Sequence, residues 1–560
     1  MKKLICSVAF GMLSASMLFG LDARKDCGPE SLRRVADKVC AIVAVETLPE
    51  GVTGVDFVLR PEPDSNIRCR AELPPADKWD GRFWGVGNSG YGGKVPAKQL
   101  AKFVRCGFAA VTTDLGTGDY TDGGRSNKKV WPAAVRRDYD WRATHLMTVY
   151  GKRIVECFYG KAPHHSYFCG GSCGSRQGIG EAIRFPADYD GVLAYVVGNS
   201  CICKEADIFA LHKQAHDDKG NLLLTADDLR VVSDAAIRYW KGRDERPYDG
   251  NILSDPFFSE KDIDGFLATA AEMSPKLGAA DLQRRLRELY LGKVHNGRRV
   301  THGEVPGAYL GKQLSWIGHV YMPQYLQEKG VESLKDLTWD DFENFARKYG
   351  PSYNACSDDL DAFRARGGKL IATAGLEDQT DPCPAGISHF ERVVRRTGGD
   401  LADVQGFYRL FVVPGCAHGG GKGRAMTVTP TGPKQFRQLI AWREQGVAPE
   451  RFETVWKSEN LAMPVAPYPK RLVQDETGRW IERTFDRKSI REPDPLYLQC
   501  SKTPWTEDGC KSTENGPAAN VTGDAAIALV ADRFFGKKDA SLSGGKRIEI
   551  SADSLVRSVS

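Results

Sequence analysis

The chain has 560 residues, 41% of them hydrophobic and 27% charged, which is the balance of an ordinary globular protein long enough to bury a sizeable core. Its 77 basic and 72 acidic residues leave a net charge of +5, too even to give footing for a nucleic-acid or membrane-surface partner.

Lys2 and Lys3 precede an apolar stretch over 4–19, with small residues near Gly20 and Ala23. This pattern predicts a signal peptide over 1–23 and export to the periplasm or beyond. The stretch is short for a membrane span, and no later segment reaches about 18 apolar residues. Of the fifteen cysteines, Cys6 leaves with the signal. The remaining even set, in an oxidising compartment, predicts several disulfides. Cys201 and Cys203 have no second pair at zinc-finger distance.

From 55 to 198 short β-rich runs alternate with helical patterns. The runs 108–113 and 166–168 read as buried strands, and 143–158 as an amphipathic helix. Such alternation argues for a doubly wound, mainly parallel sheet. Between 201 and 355 the chain turns rich in charge and helix formers, notably over 227–241 and 262–291. The α/β pattern resumes at 369–374 and 408–413. This predicts one catalytic domain, 24–202 and 356–490, interrupted by a helical insertion at 203–355. A polar extension follows over 491–560, with Cys500 and Cys510 ten residues apart.

Gly170-Gly171-Ser172-Cys173-Gly174 matches G-x-S-x-G, with a strand-like run before it and a helix-like run, 176–185, after it. Small neighbours are needed because a nucleophilic serine sits on a strained strand-to-helix turn that lifts its oxygen above the sheet. That context predicts an α/β-hydrolase fold with Ser172 as nucleophile. An acid and a histidine should follow in that order, each after a strand. Glu377, Asp378 and Asp381 follow the strand at 369–374 and all remain open as the acid. His418 follows the strand at 408–413 among glycines. His389 is its rival, but lies in a helix-like run where it is expected to be solvated. Gly85-Val-Gly87-Asn-Ser-Gly90 also matches a dinucleotide fingerprint. Without a β-α-β unit around it, the preferred reading is a loop whose N–H groups hold an oxyanion.

These residues resemble the tannase and feruloyl esterase family. The resemblance rests on 79–93, Thr113-Asp-Leu-Gly, Asp140-Trp-Arg-Ala-Thr-His145, Phe158-Tyr-Gly, 167–178 and 184–191. Gly375-x-x-Asp378, Val413-Pro-Gly-x-x-His418 and Ala466-Pro-Tyr-Pro469 complete it, all in the family's order. It implies Ser172 as nucleophile, Asp378 as acid, His418 as base, and the Cys173 and Gly90 N–H groups as the oxyanion hole. It also implies hydrolysis of small aromatic esters, those of phenolic acids such as gallate or hydroxycinnamates, with no cofactor required and the insertion acting as a lid. The alternatives kept open are a general small-ester carboxylesterase and a catalytically silent periplasmic protein that binds aromatic ligands.

The chain departs from the family at three places. Family members pair a cysteine before the nucleophile with one after the histidine, where this chain has Gly171 and Gly419. A replacement bridge, Cys173 to Cys416, is one expectation, and unpaired buried cysteines are the other. The family's calcium loop in the lid is altered over 243–255. Asp244 and Asp249 are the best remaining ligands for a structural calcium, against a solvated acidic loop. The tail beyond 490 has no counterpart, and is expected to pack through a Cys500–Cys510 loop or to stay partly disordered.

Overall fold

The computed structural model describes residues 28–122, 125–126, 129–241, 255–316, 318, 320–418, 426–427, 433–456, 461–475, 477–487, 491–502 and 547–549. The expected signal peptide, Asp244, Asp249, Gly419 and Cys510 lie outside these residues.

Ten strands form one sheet: β1 Cys40–Thr47, β2 Thr53–Leu59, β3 Ile67–Leu73, β4 Arg82–Val86, β5 Ala109–Thr113, β6 His165–Ser172, β7 Gly191–Val197, β8 Lys369–Gly375, β9 Tyr408–Val413 and β10 Arg547–Glu549. Their order is β9-β8-β7-β6-β4-β5-β3-β2-β1-β10. The six strands from β9 to β5 are parallel, and the remaining pairings are antiparallel. The mainly parallel sheet is the one that the alternation of strands and helices anticipated, and its arrangement is that of the α/β-hydrolase fold expected from the context of Ser172.

Both faces of the parallel half are covered, and the sequence shows why. Neighbouring pairs Phe83/Trp84, Phe168/Tyr167, Val192/Leu193 and Leu370/Ile371 send one side chain to each face, as the two-residue period of a strand requires. On one face Trp84, Tyr167 and Ile371 pack with Phe436, Leu439 and Trp442 of helix 433–445. On the other, Phe168 and Val192 pack with Met147 and Ile154 of α1 (Ala143–Tyr159) and Ile179 of α2 (Cys173–Arg184).

Between β7 and β8 the chain leaves the sheet for a mainly helical stretch, which starts with α3, Cys201–Ala215. Three of its later helices begin at capping boxes, Thr225 with Asp228, Ser259 with Asp262 and Thr338 with Asp341. Each box satisfies N–H groups that a helix start leaves without partners. The insertion's two ends meet, since the Ala355 N–H donates to the Asn199 carbonyl at 2.9 Å. Residues 491–502 pack against this base. Asn354 Nδ2 donates to the carbonyls of Tyr497 (3.2 Å) and Gln499 (2.9 Å).

The expectation of disulfides is corrected for the described residues: none of the twelve cysteines among them is bridged to another, Cys173, Cys416 and Cys500 included. Their sulfurs turn to other partners. Cys356 Sγ lies 3.4 Å from the Leu498 carbonyl and Cys500 Sγ 3.1 Å from that of Asn354. At the described end of segment 243–255, Asp255 accepts from the Phe257 N–H at 2.9 Å and faces Arg471 at 3.6 Å.

Candidate active site

The carboxyl ends of the parallel strands carry the chemistry-bearing loops to one edge of the sheet, where open α/β sheets bind ligands. Ser172 ends β6, Asp378 follows β8, His418 follows β9, and the glycine-rich loop 87–93 follows β4. Ser172 has φ 55° and ψ −122°, a conformation costly for any residue with a Cβ. The strain is held by close packing on both sides. A Cβ on Gly170 would fall 2.5 Å from the Gly174 carbonyl oxygen, so only glycine lets the turn close. Beside it β7 bulges between Tyr195 and Val197, with Val196 at φ 53°, unusual for a β-branched residue.

Asp378 and His418 are brought together. Both Asp378 oxygens lie 3.1 Å from His418 Nδ1, and Asp378 Oδ1 also accepts the N–H groups of Thr380 and Asp381 at 2.8 Å. The Ser172 hydroxyl joins this group through Asp381, with Oγ 3.4 Å from Asp381 Oδ2. Asp381 Oδ2 is also 3.6 Å from His418 Nδ1, and its Oδ1 is 3.3 Å from Lys204 Nζ. Burial works against a charged His418, but the facing Asp378 and then Asp381 outweigh it and raise its pKa to about 9. Glu377 is buried behind the loop.

His389 departs from its expectation of solvation. It is fully buried, with Nε2 3.0 Å from the Ser357 carbonyl and Nδ1 3.3 Å from the Tyr408 hydroxyl. Burial and then Arg392 press its pKa down to about 3. Its helix-like run packs against the sheet rather than facing water.

Two residues that follow Ser172 on α2 hold its surroundings in shape. Gln177 accepts from the Asn88 N–H at 3.2 Å and donates to the Asn88 carbonyl at 2.8 Å, clamping loop 87–93 to α2. Arg176 is buried and donates to the carbonyls of Asp140 (2.9 Å) and Tyr139 (2.8 Å), while its guanidinium lies 4.6 Å from the Tyr139 ring. Cys173 is the first residue of α2, where an N–H has no intrahelical acceptor. Gly90 turns with φ 57°, and its carbonyl accepts from Tyr139 Oη at 2.9 Å. Cys173 Sγ sits among Tyr139 Oη (3.3 Å), Gln177 (3.4 Å) and Arg176 (3.5 Å). Burial raises its pKa, but Arg176 and these hydrogen bonds bring it below the usual thiol value.

Without a disulfide, the loops are tied by other means. The Glu377 N–H donates to the Cys416 carbonyl at 2.9 Å, and Gly375 is packed so that a Cβ would fall 2.4 Å from that same oxygen. The His418 N–H points to Gln379 Oε1 at 3.4 Å. Sequence reasoning missed Lys204, Tyr195 and Tyr139, which come from other strands and helices and carry no motif. His145, by contrast, is taken up in the helix layer, with Nδ1 2.7 Å from Asp188.

Such a group can transfer an acyl unit: a strained serine, a histidine fixed by a buried carboxylate, and a helix N-terminus beside a glycine-rich loop. Comparison with known proteins agrees. The family model described as "Tannase and feruloyl esterase" matches residues 51–267 and 319–482. An uncharacterized esterase of Xanthomonas campestris is 30% identical over 441 residues, covering 70% of this chain and 75% of its own. A probable feruloyl esterase B-2 of Aspergillus flavus is 27% identical over 444 residues, covering 72% and 80%. The crystal structure of feruloyl esterase B from Aspergillus oryzae superimposes with a TM-score of 0.66 at 23% identity, covering 77% of this chain and 90% of that one.

Proposed function

This chain belongs to the tannase and feruloyl esterase family and is a carboxylic ester hydrolase, and on that premise we propose that it cleaves esters of phenolic acids through an acyl-enzyme formed on Ser172. The observation that carries the reading is the strained Ser172 backbone beside the Asp378–His418 pair. His418 Nε2, the nitrogen turned away from Asp378, takes the proton from Ser172 Oγ as that oxygen bonds to the ester carbonyl carbon. The oxyanion is held by the Cys173 and Gly90 N–H groups. The carbonyl carbon–alkoxy bond then breaks, and the alcohol leaves with the proton from His418. Water repeats the sequence on the acyl-enzyme and frees the acid and Ser172.

The phenolic acid is supported by relatives named as feruloyl esterases. Export is supported by the basic and apolar pattern of residues 2–19. Among the described residues, no helix is long and apolar enough to cross a membrane. The test is fluorophosphonate labelling followed by an ester panel. Stoichiometric modification of Ser172, with ferulate or gallate esters turned over faster than p-nitrophenyl acetate, is expected. Labelling with preference for small aliphatic esters would make it a general carboxylesterase, and an unlabelled folded protein would make it a binding protein.

A further inference from the structure

The reaction just described assigns nothing to Asp381, yet this carboxylate touches more of the site than any other loop acid. It lies 3.4 Å from Ser172 Oγ, 3.6 Å from His418 Nδ1 and 3.3 Å from Lys204 Nζ, with Asp381 1% and Lys204 5% exposed. Gly198 closes over it, since a Cβ there would fall 2.6 Å from Asp381 Oδ1. Its N–H donates to Asp378 Oδ1 at 2.8 Å, so one rigid turn presents both carboxylates to the histidine. A buried ion pair is a weak device for stability, because desolvating both charges offsets their attraction. Its placement against both reacting side chains points to another role.

We propose that Asp381 is a positioning residue of the ester-cleaving apparatus, a second carboxylate that Lys204 keeps in place beside Asp378 and that sets the pH range in which His418 accepts a proton. The proposal rests on the reading of Ser172 and His418 given above. The groups facing His418 are Asp378, Asp381 and Lys204. Lys204 also faces Cys201, Glu205 and Cys173, while Glu304 and Cys383 lie near Asp378. Removing the charge of Asp381 leaves His418 with one carboxylate and an uncompensated ammonium, and both changes favour neutral imidazole. Removing the charge of Lys204 leaves two carboxylates and favours imidazolium. The two halves of one ion pair therefore act on the base in opposite directions, which a purely structural pair would not do.

The experiment measures kcat/KM against pH for wild type, Asp381→Asn and Lys204→Met, with p-nitrophenyl acetate as substrate and active sites counted by fluorophosphonate. The base limb should move down by about one unit in Asp381→Asn and up by about one unit in Lys204→Met. Below the limb the Lys204→Met enzyme would then be about tenfold slower than wild type, with the loss recovered at alkaline pH. Where a variant turns over too slowly, the imidazole resonances of His418 report the same titration by NMR. Shifts in one direction for both variants, or lost activity with an unmoved limb, would overturn the proposal. Failure of the wild type to label marks instead the failure of the Ser172 reading on which it rests.

Discussion

Tyr195 fills the place that a side chain on Gly171 would need: an ideal Cβ on Gly171 falls 2.0 Å from Tyr195 Cε2. The bulge at Val196 turns β7 so that Tyr195 pairs with Gly171 while Val197 pairs with Ser172. A cysteine before the nucleophile and this ring exclude each other. The loops that carry Ser172, Asp378 and His418 are held by packing, by the Glu377–Cys416 backbone bond and by the contacts of Asp381.

A cysteine introduced alone at position 171 should therefore harm the protein. Gly171→Cys is expected to cost about 1–3 kcal/mol, the range for overpacking a closed site. Gly171→Cys with Tyr195→Ala should recover part of that loss. Thermal and denaturant unfolding of both variants measures it, and equal stability of the single variant and the wild type would show that the ring moves aside freely.

The strain at Ser172 gives a second expectation. With φ 55° and ψ −122°, the residue sits where glycine is at ease and a Cβ is not. Ser172→Gly should abolish turnover and raise stability by about 1 kcal/mol. Unfolding midpoints beside activity assays read both effects, and a less stable variant would place the strain elsewhere.

Gln177 both accepts from and donates to the backbone of Asn88, besides its contact with Cys173 Sγ, and so shapes loop 87–93. Gln177→Leu keeps the volume and leaves two buried backbone groups unpaired. It should lower kcat by about 10–100-fold with little change in KM, because an oxyanion loop acts on the transition state and not on ground-state binding. A rise in KM alone would assign the loop to substrate binding instead.

Much of this was legible in the sequence, because its signals are local. A serine between glycines, a strand before it and a helix after it define an elbow. Loops that follow parallel strands converge wherever the strands lie in the sheet, which brought Asp378 to His418. The choice among Glu377, Asp378 and Asp381 was not legible from spacing, since all three follow one strand and only the turn decides which faces the imidazole. Lys204 carries no motif and is one of many charges between 201 and 355. Its burial against Asp381 depends on how α3 crosses the carboxyl ends of the strands, a relation of residues far apart in sequence. The burial of His389 was missed for the same reason, and the cysteine count misled because even numbers do not bring sulfurs within reach of one another.

His418 should couple activity and stability in opposite senses. Its folded pKa, raised to about 9 by the facing Asp378 and Asp381, stands above the ordinary histidine value near 6.5. The base must be neutral to act, so kcat/KM should climb with pH and level off above about pH 9. For stability the sign is reversed, because protons bind more tightly to the folded state. The contribution of His418 is complete below about pH 6.5, fades as pH rises through about 9, and amounts to roughly 3 kcal/mol. Between these pH values the enzyme should grow faster and less stable together. Denaturant unfolding of wild type and His418→Gln at pH 6 and pH 9.5 separates this group from others, since the difference between the two proteins should shrink at the higher pH. An unchanged difference would mean that the carboxylates do not hold His418 charged, and the rise of activity with pH should then begin near the ordinary histidine value.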